Sequence, residues 1–384
     1  MKSSKKIVLF PNDSLLDYFN KGEIKYGYFN PKNYFDEIHI ISLFDQEIEF
    51  GKVQELAGNG QLIIHKLGKV NLSNYKSYEK KIFSLISEIN PLLIRSFNPR
   101  IQGWLATKIG KKLKIPTVIS LHTNYEQQIQ LAKKQKRFLQ FLKLKYSSKN
   151  LEKFSLEKCD EVICVYEFIV PYAKKMGASK INVIYNKVNL KKFSPSAIKK
   201  IESKKPLIIS VGRLIEQKNR RYLIEAFKDL DAELLIIGDG PQYEEFSQLI
   251  NSLEIKDKVK IIKKIPNDEL PQYYVSADIF ALPMENLDGI PIPFLEAMAC
   301  GLPVITTKHS TSYSEVTDEA VVFVDNQPKN ISEAINEILT KSDYRNKLVS
   351  KSLKIATLIG GDRMEEKEFK LYKNLIDKFN TNNL

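Results

Sequence analysis

Short runs of consecutive apolar residues alternate along the chain with stretches in which apolar residues recur at helical spacing. The runs are rich in Ile, Val and Leu, as in strands that are buried on both faces. Segment 75–91 shows the helical spacing and stops at a proline. We predict strands at 6–11, 37–43, 62–67, 92–97, 117–122, 161–166 and 181–186, and then at 206–212, 233–240, 259–265, 279–283, 303–307 and 320–324.

Alternating strands and helices predict parallel sheets with helices on both faces. The rhythm restarts near residue 206, so we expect two doubly wound α/β domains, in agreement with a length of 384 residues. We place an N-terminal Rossmann-like domain at 1–190 and a C-terminal one at 191–360. Residues 361–384 predict a helix that can pack back on the first domain.

Composition narrows the class of protein. A hydrophobic content of 43% and a charged content of 27% are typical of a soluble globular protein. Apolar runs of strand length do not span a membrane and are too short for a signal peptide, so we expect a cytoplasmic protein. Three cysteines are too few for a disulfide framework.

The net charge of +13 suits anionic partners. Nucleic acid is one such partner, but the charge is spread along the chain and no binding module is recognisable, so we expect none. Segment 131–158 holds nine Lys/Arg and two Glu among apolar residues. It predicts a basic amphipathic helix that either lies on an anionic membrane or turns its apolar stripe to the core.

Chemistry in an open α/β sheet gathers at the carboxyl ends of the strands. Arg213 and Lys218 follow the strand at 206–212 and precede a helix. Two cations beside a helix N-terminus favour phosphate, although two solvated surface cations would give the same pattern. The turn "IIGDGP" at 236–241 does not match the dinucleotide fingerprint GxGxxG.

The stretch "NLDGIPIPFLEAMACGLPVITT" places Asp288 in a loop and Glu296 one turn into a short helix. Backbone N–H groups near Gly289 and Ile290 favour an anion there. The two carboxylates can accept hydrogen bonds from diols. The arrangement suits a nucleotide diphosphate sugar, while the alternative is a capping glutamate and a turn aspartate.

In the first domain, three polar side chains come directly after strands. His122 ends the run at 117–122, whereas Asn98 and Arg100 follow the strand at 92–97 and could face an acceptor. A histidine satisfied at a strand end is the alternative for His122. No Asp-x-Asp follows a strand as a metal anchor, so we expect no metal.

The second half resembles glycosyltransferase family 4, the retaining group 1 type enzymes with the GT-B fold. The stretches "SVGRLIEQKNRRYLIEAF", "LLIIGDGP", "LPQYYVSADIFALP" and "DGIPIPFLEAMACGLPVITT" occur in the family's order and spacing. The similarity is close over 205–325 and looser over 183–195. It implies the GT-B architecture, in which two Rossmann-like domains face each other across a cleft.

The resemblance implies roles for the residues that match the family's motifs. Arg213 and Lys218 would contact the diphosphate, Glu296 the ribose and Asp288 the donor sugar. His122 would line the sugar side, so the implied catalytic residues are these two cations, Asp288 and His122. Backbone contacts would fall as follows: Gly289 and Ile290 on the diphosphate or sugar, and Ile265 and Pro266 on the base.

The chain departs from the family pattern at three places. Asp288 is one methylene shorter than the usual Glu. Lys21 and Gly22 lie in a segment that replaces the common Gly-Gly loop on the acceptor side, and Lys187 occupies a usual Gly. These changes leave the orientation of the sugar and the choice of acceptor open.

The function expected from the resemblance is transfer of a sugar, with retention, from a nucleotide diphosphate sugar to a hydroxyl of a glycan, glycolipid or lipid-linked saccharide. No cofactor or metal is expected, and the leaving phosphate can take the acceptor proton. The enzyme would act in the cytoplasm or on the inner face of the membrane. Alternatives are a nucleotide-sugar epimerase of the same architecture and a basic nucleic-acid-binding protein.

Overall fold

The computed structural model describes residues 4–284, 291–307 and 319–382. The chain forms two compact units. One comprises Met1–Tyr185 and Met364–Leu384, and the other comprises Asn186–Arg363. Each unit is built on a parallel sheet with helices, which confirms the predicted α/β class.

The first unit contains a seven-stranded parallel sheet in the order β3-β2-β1-β4-β5-β6-β7. The order reverses between β1 and β4, which makes a topological switch point, the usual place for a ligand. The strands are β1 Lys6–Phe10, β2 Glu37–Ser42, β3 Gln61–Lys66, β4 Leu93–Ser96, β5 Thr117–Leu121, β6 Glu161–Cys164 and β7 Ile181–Val183.

Seven α-helices accompany this sheet within the first 185 residues. They are α1 Leu15–Asn20, α2 Glu79–Ile89, α3 Ile101–Leu113, α4 Tyr125–Lys134, α5 Phe138–Ser147, α6 Lys153–Lys158 and α7 Val170–Lys175. The single helix expected over 131–158 is wrong. The chain turns between α4 and α5 at Lys136, which has a left-handed φ of 56°, and a π-helical stretch, Ser148–Glu152, joins α5 to α6.

The second unit contains a six-stranded parallel sheet in the order β10-β9-β8-β11-β12-β13. Its switch point lies between β8 and β11. The strands are β8 Leu207–Val211, β9 Glu233–Ile237, β10 Val259–Ile262, β11 Ile279–Ala281, β12 Val304–Thr307 and β13 Val321–Val324. The helices are α8 Arg220–Ala226, α9 Tyr243–Ser252, α10 Leu270–Tyr274, α11 Ile292–Ala299, α12 Pro328–Thr340 and α13 Ser342–Leu358.

The last helix, α14 (Gly361–Asn382), belongs to the first unit from Met364 onward. Its apolar face enters the core that also contains Ile7, Leu9 and Phe35. The buried residues of this face are Met364, Tyr372, Leu375 and Ile376. The helix therefore forms part of the first unit's hydrophobic core and does not merely lie on its surface.

A buried polar network also joins α14 to β4. The Nε of Arg95, on β4, donates to the hydroxyl of Tyr372 at 2.7 Å. That hydroxyl donates to Oε1 of Glu368 at 2.6 Å, and Nη2 of Arg95 lies 3.7 Å from the same carboxylate oxygen. Pairing and hydrogen bonding offset the cost of burying these charges.

Candidate functional site

In the second unit, the loops after β8 and β9 lie in backbone contact at the carboxyl edge of the sheet. The N–H of Leu214 donates to the carbonyl of Asp239 at 2.9 Å. A Cβ on Gly238 would overlap the carbonyl oxygen of Gly212, and one on Gly240 would overlap that of Leu214. The glycines of the "GDG" turn thus permit a close approach that holds the loop carrying Arg213 against its neighbour.

The two predicted phosphate-binding cations belong to the segment after β8. Arg213 is exposed, and its backbone carbonyl accepts a hydrogen bond from Nη1 of Arg220 at 3.0 Å. Lys218 is partly buried, and its Nζ lies 3.7 Å from Sδ of Met284. Met284 comes three residues after the end of β11, so the Lys218 ammonium lies beside the neighbouring strand's carboxyl end.

Three predicted donor contacts, Asp288, Gly289 and Ile290, lie outside the described residues. Met284 is the last described residue before them. Of the two residues expected near the base, Ile265 is partly buried and Pro266 is exposed. Both lie in the loop after β10, at the same edge of the sheet.

The carboxylate of Glu296 is held inside the second unit. Helix α11 starts after Pro291 and has Pro293 in its first turn, where the fixed φ of proline suits a helix. Glu296, in the middle of this helix, is 5% exposed. The hydroxyl of the buried Tyr274, from α10, donates to Oε2 of Glu296 at 2.9 Å.

Burial, and then the neighbouring Glu296 carboxylate, raises the pKa of Tyr274 well above its ordinary value. The phenol therefore stays protonated and donates to Glu296 at any physiological pH. A carboxylate can accept several hydrogen bonds, and Tyr274 supplies one of them. Such a group can accept hydrogen bonds from a diol.

Arg220 is a buried cation that the sequence reasoning missed. It is fully buried, its Nη1 holds the Arg213 carbonyl, and its Nε and Nη2 have no hydrogen-bond partner among the described residues. Burial lowers the pKa of this guanidinium to about 9. Helical spacing could have revealed its burial, because residue 220 shares a face with the buried Leu223, Ile224 and Phe227.

In the first unit, His122 directly follows β5. Its Nε2 is buried and has no hydrogen-bond partner within the described ranges. Burial, with a smaller contribution from the Arg95 charge, lowers the pKa of His122 to about 4. The imidazole is therefore neutral near pH 7, with one ring nitrogen ready to bond a ligand.

The other predicted residues after β4 take part in side-chain networks. Asn98 donates to Oδ1 of Asn12 at 2.7 Å. Arg100 donates through Nε to Oε1 of the buried Glu152 at 3.0 Å, and its guanidinium lies 3.9 Å from the ring centre of Tyr125. These contacts fix Arg100 within the unit, and an acceptor role for either residue remains a prediction.

The predicted acceptor-side loop begins right after α1. Lys21 makes an ion pair of 2.5 Å with Asp13, and Gly22 has a left-handed φ of 69°. Among the described residues, no group of three or more His, Cys, Asp or Glu is placed to hold a metal ion. Within the same ranges, none of the helices combines the length and apolarity needed to cross a bilayer.

The burial of His122 leads to a prediction of pH dependence. At about pH 7.5, well above the ordinary histidine pKa, the ring is neutral in both the folded and the unfolded chain. As pH falls towards 4, the unfolded chain binds a proton at His122 that the folded chain does not, so stability decreases. We expect His122 to account for a loss of about 2 kcal/mol between pH 7.5 and 5.

Urea unfolding can be followed by the fluorescence of Trp104, the chain's single tryptophan, which lies in the first unit. We expect His122→Gln to lose less stability than the wild type over this pH range. Equal losses in the two proteins would contradict the prediction.

Two family models match the chain in tandem. The model described as Glycosyltransferase Family 4 matches residues 37–192, and the model described as Glycosyl transferases group 1 matches residues 193–355. An uncharacterized glycosyltransferase of Methanocaldococcus jannaschii is 24% identical over 287 residues, which are 74% of this chain and 76% of that protein.

A second relative is a GDP-mannose-dependent α-(1-6)-phosphatidylinositol monomannoside mannosyltransferase of Mycolicibacterium smegmatis. It is 31% identical over 125 residues, which are 30% of this chain, and the match spans 33% of its own length. Among solved structures, Anabaena HepE in complex with UDP and glucose has a TM-score of 0.72 at 15% identity, over 96% of this chain and 100% of that one.

The structural similarity shows a GT-B fold, and the two models together extend from the second strand of the first unit into the penultimate helix of the chain. The motifs of the second unit and the paired domain models therefore agree, and the chain belongs to the group 1, family 4 glycosyltransferases.

Proposed function

We propose that this protein transfers a sugar from a nucleotide diphosphate sugar to an acceptor hydroxyl, with retention at the anomeric carbon and without a metal ion. The observation that carries the proposal is the buried Glu296 carboxylate, oriented by Tyr274 in the helix that follows β11. Arg213 and Lys218 follow β8, the strand next to β11. Glu296 can accept hydrogen bonds from the ribose diol, and the two cations can bind the diphosphate. The carboxyl edge of the sheet is the usual ligand site in such folds.

The site residues of the second unit have separate parts in the proposed reaction. Glu296 accepts hydrogen bonds from the ribose, and Arg213 and Lys218 stabilise the negative charge that develops on the departing diphosphate. Arg220 acts through Arg213, because its Nη1 fixes the backbone carbonyl of that residue. No carboxylate is proposed as a nucleophile, and a diphosphate oxygen takes the proton of the attacking acceptor hydroxyl.

His122 and Asp288 are proposed to contact the donor sugar. The lowered pKa of His122 supports this role for the histidine. A neutral imidazole can form a hydrogen bond with a sugar hydroxyl and places no positive charge beside the sugar. The proposal for Asp288 rests on the family motif alone.

The identity of the donor and acceptor is a separate proposal. The Anabaena structure is a complex with UDP and glucose, and the mycobacterial relative is GDP-mannose-dependent, so hexose donors of either base are candidates. We propose a saccharide or lipid-linked acceptor in polysaccharide synthesis, with the enzyme in the cytoplasm or at the inner face of the membrane. No cofactor takes part in this scheme.

A thermal-shift panel of UDP, GDP and ADP sugars, each with and without EDTA, tests the donor site. A ligand that binds only the folded chain should add about 2.7 kcal/mol at 100 times its Kd. We expect one nucleotide class to stabilise the protein equally with and without EDTA. No shift with any nucleotide would contradict the donor site, and a shift abolished by EDTA would contradict metal independence.

The stabilising donor is then incubated with candidate acceptors, and the anomeric configuration of the product is read by NMR. Retention is the expected outcome, and inversion would overturn that part of the proposal. Conversion of the donor to an epimer in the absence of any acceptor would instead identify a nucleotide-sugar epimerase.

A further inference from the structure

Helix α5 exposes large apolar side chains on its outer face. Phe138, Leu139 and Leu142 are 67%, 74% and 44% exposed, and we refer to them as the α5 patch. Further round the helix, Phe141 and Leu144 are partly buried. The helix is therefore apolar on both sides but packs on only one, a pattern that marks an interaction surface.

Cations surround the α5 patch. Segment 131–149, which runs from the end of α4 to just beyond α5, contains no Asp or Glu. Its basic side chains are all exposed, and none makes an ion pair with a carboxylate among the described residues. These α4–α5 cations are Lys133, Lys134, Lys136, Arg137, Lys143, Lys145 and Lys149.

A crevice of about 320 Å³ opens where α4 turns into α5. Its lining residues are Ala132, Lys133, Lys136, Phe138 and Phe141. Ammonium groups next to aromatic rings suit a ligand that has a negative group joined to an apolar part. The crevice therefore combines cationic and apolar side chains, as the surface around the α5 patch does.

We propose that the α4–α5 segment is a docking surface for an anionic phospholipid bilayer. A bilayer takes up exposed Leu and Phe side chains at its interface, while its anionic headgroups attract the surrounding Lys and Arg. A second copy of this chain is disfavoured as the occupant, because two such faces would bring two sets of unpaired cations together. The inference concerns binding alone and does not depend on the proposed reaction.

Vesicle co-sedimentation of the full chain, without any nucleotide sugar, tests the proposal. Vesicles of phosphatidylcholine with about a third phosphatidylglycerol are compared with pure phosphatidylcholine at low and high salt. We expect binding to the anionic vesicles, at least about tenfold weaker binding to the neutral ones, and a marked loss at high salt because screening weakens the cationic attraction.

Two variants separate the apolar and the cationic contributions. Leu139→Ser should weaken vesicle binding by about tenfold, since a leucine would no longer enter the interface. The double variant Lys133→Ala/Lys136→Ala should weaken it by about 25-fold, which corresponds to about 1 kcal/mol for each lysine. Ile198→Ser is the matched control, because Ile198 is 82% exposed in the second unit and should leave binding unchanged.

All of these side chains are exposed, so the variants should melt at the wild-type temperature, which is checked in parallel. Absence of wild-type binding to anionic vesicles, or equal effects of Leu139→Ser and Ile198→Ser, would overturn the proposal. A dimer in light scattering that Leu139→Ser dissociates, without vesicle binding, would assign the patch to self-association instead. A protein that binds vesicles but transfers no sugar would leave this inference standing and remove the proposed function.

Discussion

Glu296→Ala is expected to weaken binding of the donor nucleotide, and transfer of its sugar, by about 100- to 1000-fold. A hydrogen bond to a charged group contributes about 1.5–3 kcal/mol, and a ribose can donate two to this carboxylate. The buried position of Glu296 strengthens the effect, because water cannot replace the lost acceptor there. Calorimetric titration with the nucleotide found in the thermal-shift panel measures the affinity, and kcat/KM measures transfer.

Two companion variants separate binding from folding. Glu296→Gln keeps the volume and the contact with Tyr274 but removes the charge, so it should lose affinity while it melts close to the wild-type temperature. Tyr274→Phe removes only the hydroxyl that orients Glu296. We expect it to lower the affinity for the donor nucleotide by about fivefold to tenfold. Wild-type affinity in a folded Glu296→Ala protein would rule out the proposed ribose contact.

Glu368→Ala is expected to destabilise the first unit by about 3–5 kcal/mol. It leaves the Arg95 guanidinium buried without its carboxylate and deprives the Tyr372 hydroxyl of its acceptor. Breaking a buried pair by removing one partner usually costs this much. Urea unfolding followed by Trp104 fluorescence measures the effect, since that tryptophan lies in the same unit.

Glu366→Ala is the matched control, because it makes the same substitution in the same helix. The Glu366 side chain is 42% exposed, and its ion pairs with Lys32 and Lys370 are 4.0 and 3.4 Å long. Exposed pairs contribute little, so we expect a change within about 0.5 kcal/mol. Similar losses in the two variants would show that the buried network has no special weight.

The parallel sheets could be predicted from the sequence because strands buried on both faces are continuous apolar runs. The run predicted at 206–212 forms β8 at Leu207–Val211, for example. The break after α4 could not be predicted, since Lys136 adopts a left-handed φ without the usual Gly or Asn signal. The periodicity of 131–158 also could not show which apolar face would be covered.

The residues of the candidate site were predictable in type but not in their contacts. Glu296 was predicted one turn into a short helix, but its partner Tyr274 lies 22 residues earlier and meets it only because α10 packs on α11. Arg100 has its partner Glu152 52 residues away, so local sequence carries no sign of that ion pair. Contacts between distant residues depend on packing, which a single sequence does not encode in a readable pattern.

The position of α14 has a consequence for how the protein is made. Residues Asn186–Arg363 interrupt the first unit along the chain, and the helix that completes its core comes after them. On the ribosome, the second unit can therefore be finished while the first still lacks Tyr372 and its neighbours. A premature stop codon shortly after Arg363 would leave the second unit whole and expose the unfinished core of the first to proteases and chaperones.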